Sequence, residues 1–371
     1  MSFTRVFFKP SFFGERGFQI LSDDEFSAKA FRYESGVEGL EIVNSCSSMV
    51  VLPYMGMQVW FVNFNGELVS QKSMFDMPLN NTLFGDNYGG FLYHCGLNNI
   101  NAPDLNDVQY PIHDVLPFAR FEKTYTGIGE DTKGKFLAVG GTYTFRNSQE
   151  LYWTYTPELR LYEGKTVVEM SATIENYRMR PFNYFWMCHM NWLGVDGSKF
   201  IYSCPKDSKH IYLDEVEEDA TDPRSFALHE YSQKLKRNPL SADILDSKCQ
   251  VYDPELCINY RYEADQEGWA HSLMVRPNGS SYYVSWEIEK APYAIRWLCR
   301  TGNEDGVGIA LPSTGTNRGT SYQRDKGHYN TLEPNSSDTI KWKFGLLQQA
   351  ETKQMTTYIK QILESEPAGD V

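Results

Sequence analysis

The chain has no apolar run approaching the ~20 residues that a membrane-spanning helix requires, so no membrane partner is expected. Its start, MSFTRVFFKPSFFGERG, lacks a long apolar segment followed by a small-residue cleavage site. Basic residues are in deficit: 35 Lys and Arg stand against 48 Asp and Glu, a formal net charge of −13. A surface of that sign repels phosphate backbones and disfavours nucleic acid. The seven cysteines are odd in number, scattered, and never form a CxxC pair. Reduced thiols in a cytoplasm are the expected setting. No GxGxxG or GxxxxGK[ST] phosphate loop is present, and no GxSxG nucleophile elbow. No motif therefore calls for a cofactor. There is no internal repeat and no Gly/Ser linker. The expectation is one domain over residues 1–350, followed by a C-terminal helix and tail over 351–371, working as a monomer or homodimer.

What the sequence does contain is a period of two. Segments such as KFLAVGGTYTFRN, ELYWTYTPELRLYEG, KTVVEMSATIENY, SYYVSWEIE and YAIRWLCR are rich in Val, Ile, Thr and aromatics. Gly, Asn, Asp or Pro separates them, as turns require. Many such strands with few helical patterns between them indicate an all-β chain of large antiparallel sheets. Two regions depart from the pattern. Cys204 to Cys249 is polar, contains the acidic run EVEEDATDP, and reads as a long surface excursion. The tail ETKQMTTYIKQILES places Met355, Tyr358, Ile359, Ile362 and Leu363 at helical spacing, as in a helix packed on a sheet.

Seven histidines are few enough to weigh singly. His210 and His229 fall in the polar excursion and His328 in a polar loop, where exposure is the default. His271 reads as a strand residue with a hydrogen-bonded ring. Three remain: His94 in FLYHCGLNN, His113 in YPIHDVLPF and His189 in CHMNW. If CHMNW is a strand, His189 and Asn191 share one face and Cys188, Met190 and Trp192 the other. Burying two unpaired polar side chains would cost roughly 2–7 kcal/mol each. They therefore bond to their surroundings or line a cavity for a polar ligand. The loop CGLNNINAP sets asparagines between Gly and Pro and can present side-chain amides. His94, Cys95, His113, Cys188 and His189 are also possible metal ligands, but none has HxxxH or CxxC spacing, so no metal site is assigned.

Taken in order, CGLNNINAP, YPIHD, TIENYRMRPFNYFWMCHMNWLG, APYAIRWLCRTGNEDGVGIALPST and NTLEPNSSDTIKWKFGLL resemble the aldose 1-epimerase, or galactose mutarotase-like, superfamily. The resemblance is to its branch of uncharacterised epimerase-like proteins and covers roughly residues 35 to 350. It implies a β-supersandwich whose concave face holds a sugar, and a reaction that interconverts α and β anomers of an aldose by general acid–base catalysis. It implies His189 as the general acid and His113 as a second histidine at the reacting centre. Asn99 matches the loop asparagine. Arg296 and Trp297 lie on the strand leading to the catalytic glutamate, and with Asn191 and His94 complete the expected sugar-binding set. Where the superfamily has that glutamate, this chain has Leu311, within Leu311-Pro312-Ser313-Thr314. Leucine cannot accept a proton. Glu333, Glu304, Asp305 or Asp114 is then a substitute, or the protein binds a sugar without turning it over. A metal-assisted isomerase or lyase built on His94, His113 and His189 is a third alternative. No dense Lys/Arg group marks a phosphate site, which favours a neutral sugar.

Overall fold

The computed structural model describes residues 2–103, 110–214, 223–248 and 250–365. Two antiparallel sheets carry the chain. The nine-stranded sheet runs, edge to edge, Ser2–Phe7, Glu122–Asp131, Gly134–Arg146, Tyr152–Tyr162, Val167–Asn176, Ser337–Leu347, Ser281–Glu287, Trp269–Val275 and Lys199–Tyr202. The fourteen-stranded sheet runs Ile211–Tyr212, Leu256–Tyr260, Tyr293–Arg300, Asp305–Ser313, Phe182–Met190, Leu92–Leu97, Gln58–Phe64, Ser47–Leu52, Glu38–Asn44, Ser27–Arg32 and Phe18–Ser22. Three short strands, Glu67–Leu68, Trp192–Leu193 and Asn330–Leu332, attach to its sides.

The alternation expected of half-buried strands is explicit in Val167–Asn176. There Val168, Met170, Ala172, Ile174 and Asn176 are buried and the residues between them are not. The buried faces of the two sheets meet in one aromatic-rich core. Trp153 and Trp342 enter it from the nine-stranded sheet and Trp186 from the other, with the Trp186 and Trp342 rings 5.1 Å apart. Fully burying one such large apolar side chain stabilises by about 1.5–3 kcal/mol. All-β sandwich architecture and a terminal helix are both present. The helix, Gln349–Glu364, starts with a capping box between Gln348 and Glu351 and buries Ile359 against Leu273, Tyr283 and Leu347.

The region from Cys204 to Cys249 is more ordered than a surface excursion. It holds a helix, Pro223–Arg237, whose Leu228, Tyr231 and Leu235 are buried. That spacing is one helical stripe, masked in the sequence by the charged residues between. The acidic run at 215–222 lies outside the described residues, as does Cys249; the six described cysteines are all free thiols. Among the described residues no helix is long and apolar enough to cross a membrane.

Candidate active site

Residues of the Phe182–Met190 strand alternate between two environments. Cys188 pairs with His94, and both belong to the core side: the His94 ring lies against Tyr155 and Trp342 of the nine-stranded sheet. Met187 and His189 point the other way, into a cavity of about 320 Å³. That volume is at the small end of the range for small-molecule sites. Gly96 allows the neighbouring strand to approach here. A Cβ at this position, where φ is +121°, would lie 2.3 Å from the Phe185 carbonyl oxygen.

His189 is fixed from both ring nitrogens. Its Nδ1 is 2.7 Å from Asn191 Oδ1, and its Nε2 is 2.9 Å from the Tyr88 hydroxyl. Asn191 in turn donates from Nδ2 to the Gly90 carbonyl at 3.0 Å. Burial holds the His189 pKa well below the usual imidazole value. The adjacent His113 lowers it further and the Asn191 bond opposes the shift.

His113 enters from a loop. It and Asp114 have left-handed backbones, with φ of 59° and 65°, as does Asn101 at 62°. Asp114 stabilises this bend. Its Oδ2 accepts the backbone N–H groups of Asn98 at 2.6 Å and Asn99 at 3.3 Å, tying the CGLNN loop to the YPIHD loop. Burial raises the Asp114 pKa to about 6. The His113 ring accepts the Asn101 N–H at Nδ1, 3.3 Å away, and its pKa is pushed down to about 4 by desolvation. The His113 and His189 ring centroids are 5.6 Å apart.

The opposite wall comes from Leu256–Tyr260, Tyr293–Arg300 and Asp305–Ser313. Trp297 lies 5.2 Å from the His189 ring and 5.4 Å from Tyr88. Gly306 makes room for that indole, since a Cβ there would come within 2.7 Å of its ring. The Trp297 Nε1–H donates to Glu255 Oε2 at 2.5 Å. Glu255 lines the cavity together with Cys257, Ile295, Leu311 and Asn317. Leucine thus occupies the wall at the position where the resemblance calls for glutamate. No Lys or Arg lines the cavity among the described residues.

Four expected site residues are placed otherwise. His94 is fully buried on the core face, bonded through Nδ1 to Tyr155 Oη at 2.8 Å. Arg296 follows the alternation to the same side. Its guanidinium pairs with Asp243 at 3.2 Å and lies over Phe200, Tyr202 and Tyr260, so it cannot reach a sugar. Asn99 is fully buried and does not line the cavity; Asn101, two residues on, does. Asn191 shares the face of His189 as the alternation requires, but its amide is used between the imidazole and the Gly90 carbonyl. Asp114 faces backbone amides rather than the cavity. The other proposed carboxylates also lie off it: Glu304 bonds the Met74 N–H, Asp305 pairs with Arg300, and Glu333 is exposed. The three histidines of the metal alternative are split between two faces, and no cluster of three metal-ligating side chains occurs among the described residues.

Among the residues that sequence reasoning missed are Phe84, Tyr88, Glu255, Cys257 and Asn317. Tyr88 and Glu255 come from irregular segments with no periodicity to direct them. Cys257 was accessible in principle, because it pairs with Trp297 across adjacent strands.

No family model matches the chain, and no curated protein matches it. Solved structures do. A Klebsiella pneumoniae protein named a candidate aldose 1-epimerase superposes with a TM-score of 0.79 at 14% identity, covering 98% of this chain and 96% of the other. A galactose mutarotase-like protein from Clostridium acetobutylicum gives 0.57 at 12% identity over 87% and 99%. A galactose mutarotase related enzyme from Lactobacillus acidophilus gives 0.54 at 11% over 84% and 98%. With two packed antiparallel sheets, a cavity on one face and a terminal helix, this chain has the galactose mutarotase-like fold.

Proposed function

We propose that the protein interconverts the anomers of a neutral aldose by general acid–base catalysis. The observation that carries this reading is the convergence of His113 and His189, ring centroids 5.6 Å apart, on one small cavity that also holds a carboxylate and an indole. Anomer exchange needs a proton removed from one oxygen and delivered to another, and an imidazole can do both. The indole gives a sugar ring a flat apolar surface, and Asn317 can bond hydroxyls. The absence of Lys and Arg from the described lining favours an uncharged sugar over a phosphorylated one. Exchange between anomers, followed by NMR over a panel of neutral aldoses, tests it. Wild-type protein that accelerates none of them above the spontaneous rate would sink it.

A second reading, binding without turnover, is favoured by Leu311 in the cavity wall. It requires that a sugar raise the melting temperature without exchange. Ligand at 100 times its Kd stabilises by about 2.7 kcal/mol, which a thermal scan resolves.

A further inference from the structure

The resting role of a buried imidazole is set by what its second nitrogen does. At His189 the contacts run in one direction. Asn191 Nδ2 donates to the Gly90 carbonyl, so the atom facing His189 Nδ1 is the amide oxygen. An amide oxygen only accepts, so Nδ1 carries the hydrogen. In the neutral ring Nε2 is then a lone pair, and the Tyr88 hydroxyl donates to it. His113 is the opposite tautomer. Its Nδ1 accepts the Asn101 N–H, which leaves Nε2–H as a donor. The site therefore holds one imidazole acceptor, reached through the Tyr88 hydroxyl, and one imidazole donor, with Glu255 as the carboxylate on the cavity wall.

We propose that His189 is the proton acceptor of the resting site and performs both proton transfers of anomer exchange, while the Glu255 carboxylate balances the imidazolium formed between them. This rests on the anomer-exchange reading and deepens it. In ring opening, the anomeric hydroxyl gives its proton to the Tyr88 oxygen as the Tyr88 hydroxyl proton passes to His189 Nε2. The electrons of the anomeric O–H bond form the C1=O bond, and the C1–ring-oxygen bond breaks with its electrons going to the ring oxygen. The ring oxygen then takes the Tyr88 hydroxyl proton as the imidazolium returns its own to the Tyr88 oxygen. Both oxygens are bonded to the same carbon, so one hydroxyl, that of Tyr88, reaches both. The products are the open-chain aldehyde and neutral His189. After rotation about C1–C2, closure runs the same transfers in reverse. Protons and electrons balance without a carboxylate at position 311. His113 Nε2–H stabilises the oxygen on which charge develops.

Glu255 is suited to the balancing role. Trp297 fixes its Oε2, and the same indole packs on the His189 ring. Burial keeps the Tyr88 hydroxyl, the group bonded to His189, from ionising, and the Glu255 charge adds to that effect. The titratable groups packed around His189 are Tyr88, Tyr93 and Cys95 from the adjacent loop and strand, His113 from its loop, and Glu255 and Cys257 from the far wall. No lysine or arginine is among them.

The test is the pH dependence of enzyme-catalysed exchange, corrected for the spontaneous reaction. Wild-type kcat is expected to hold level from about pH 8 to about pH 6 and to fall on further acidification, as protonation removes the acceptor. A rate that climbs as pH falls through the histidine range would overturn the proposal, because it would require protonated His189 at the start. Glu255→Gln keeps an oxygen for the Trp297 N–H and removes the charge. It is expected to lower kcat by roughly tenfold to a hundredfold with KM little changed. A shift in KM alone would make Glu255 a hydroxyl ligand and overturn its balancing role. Leu311→Glu is expected to give no gain in kcat; a gain of about tenfold or more would show that a base was missing. Wild-type protein with no exchange activity at all would remove the underlying reading as well, an outcome distinct from an active enzyme with an inverted pH profile.

Discussion

His94 and His189 sit one residue out of step on adjacent strands, His94 opposite Cys188 and His189 opposite Tyr93. Both are buried, and burial drives both pKa values down, that of His94 to about 3. Their surroundings differ in kind. His94 meets the core: Tyr155 on one nitrogen, Trp342 against the ring, and no hydrogen-bond partner on Nε2. His189 is held by Asn191 on one side and shares a cavity wall with His113, Tyr88 and Trp297 on the other. A perturbed pKa thus does not separate a catalytic candidate from a packed residue. What separates them is the face of the strand, and a shift of one residue decides that face.

The largest effect expected from this contrast is on activity. His189→Ala should lower the exchange rate by about 10²–10⁴-fold, the usual worth of a positioned acid–base group, in protein that remains folded by circular dichroism. His94→Ala should leave the rate per folded molecule nearly unchanged and lower stability by about 2–4 kcal/mol in urea unfolding, as removal of a buried side chain does. Were His94→Ala to abolish exchange in folded protein, the division between the two faces would fail.

Arg296 extends the comparison to a charge. It is fully buried, paired with Asp243 and enclosed by three aromatic rings. Arg296→Ala should cost about 3 kcal/mol or more, because removing one partner of a buried pair leaves the other poorly compensated. Asp243 retains Lys206 and Tyr202, which keeps the loss near the lower end of that range. Sugar affinity, measured by calorimetry, should not change. A large loss of affinity with full stability would restore the binding role that the sequence implied.

These outcomes bear on what the sequence could reveal. The period-two pattern was sufficient for the sheets, because half-buried strands must alternate. It also placed His189 and Asn191 on one face. The landmark order led to the fold, and the structural matches agree with it at 11–14% identity. The site was only partly legible. Arg296 and Trp297 are consecutive, so alternation alone requires that at most one of them face the cavity. Sequence reasoning assigned both because it matched a strand rather than a side. Glu255 precedes its strand by one residue, in PELCINY, where no pattern directs a side chain. The stripe of Leu228, Tyr231 and Leu235 was hidden by charged neighbours in the same way that Glu255 was hidden by the loop.

A smaller effect is the pH dependence of stability that the buried His94 imposes. The unfolded His94 titrates near 6.5, while the folded ring holds out to about 3. Below pH 6.5 the unfolded chain therefore binds more protons than the native one, and stability falls as pH falls until the folded ring itself titrates. His94→Gln, which does not titrate, should flatten that decline by about 1.4 kcal/mol per pH unit, as read from urea midpoints at successive pH values. An unchanged slope would mean that the His94 ring is protonated within the core at mildly acid pH.

The smallest expected effect comes from the other side of the Arg296 strand. Trp297→Phe keeps a flat ring beside His189 and Tyr88 but removes the N–H that fixes Glu255. One hydrogen bond to a charged group contributes about 1.5–3 kcal/mol, and part is recovered as Glu255, which is exposed, turns to water. Urea unfolding should therefore shift by less than about 1 kcal/mol, while the smaller ring covers less of a sugar face and weakens sugar affinity by roughly fivefold to tenfold. The adjacent Arg296 substitution is expected to do the reverse, costing stability and sparing affinity. If Trp297→Phe instead destabilised the protein as strongly as Arg296→Ala, the indole would be core rather than cavity wall. The two faces of that strand would then no longer divide structure from chemistry.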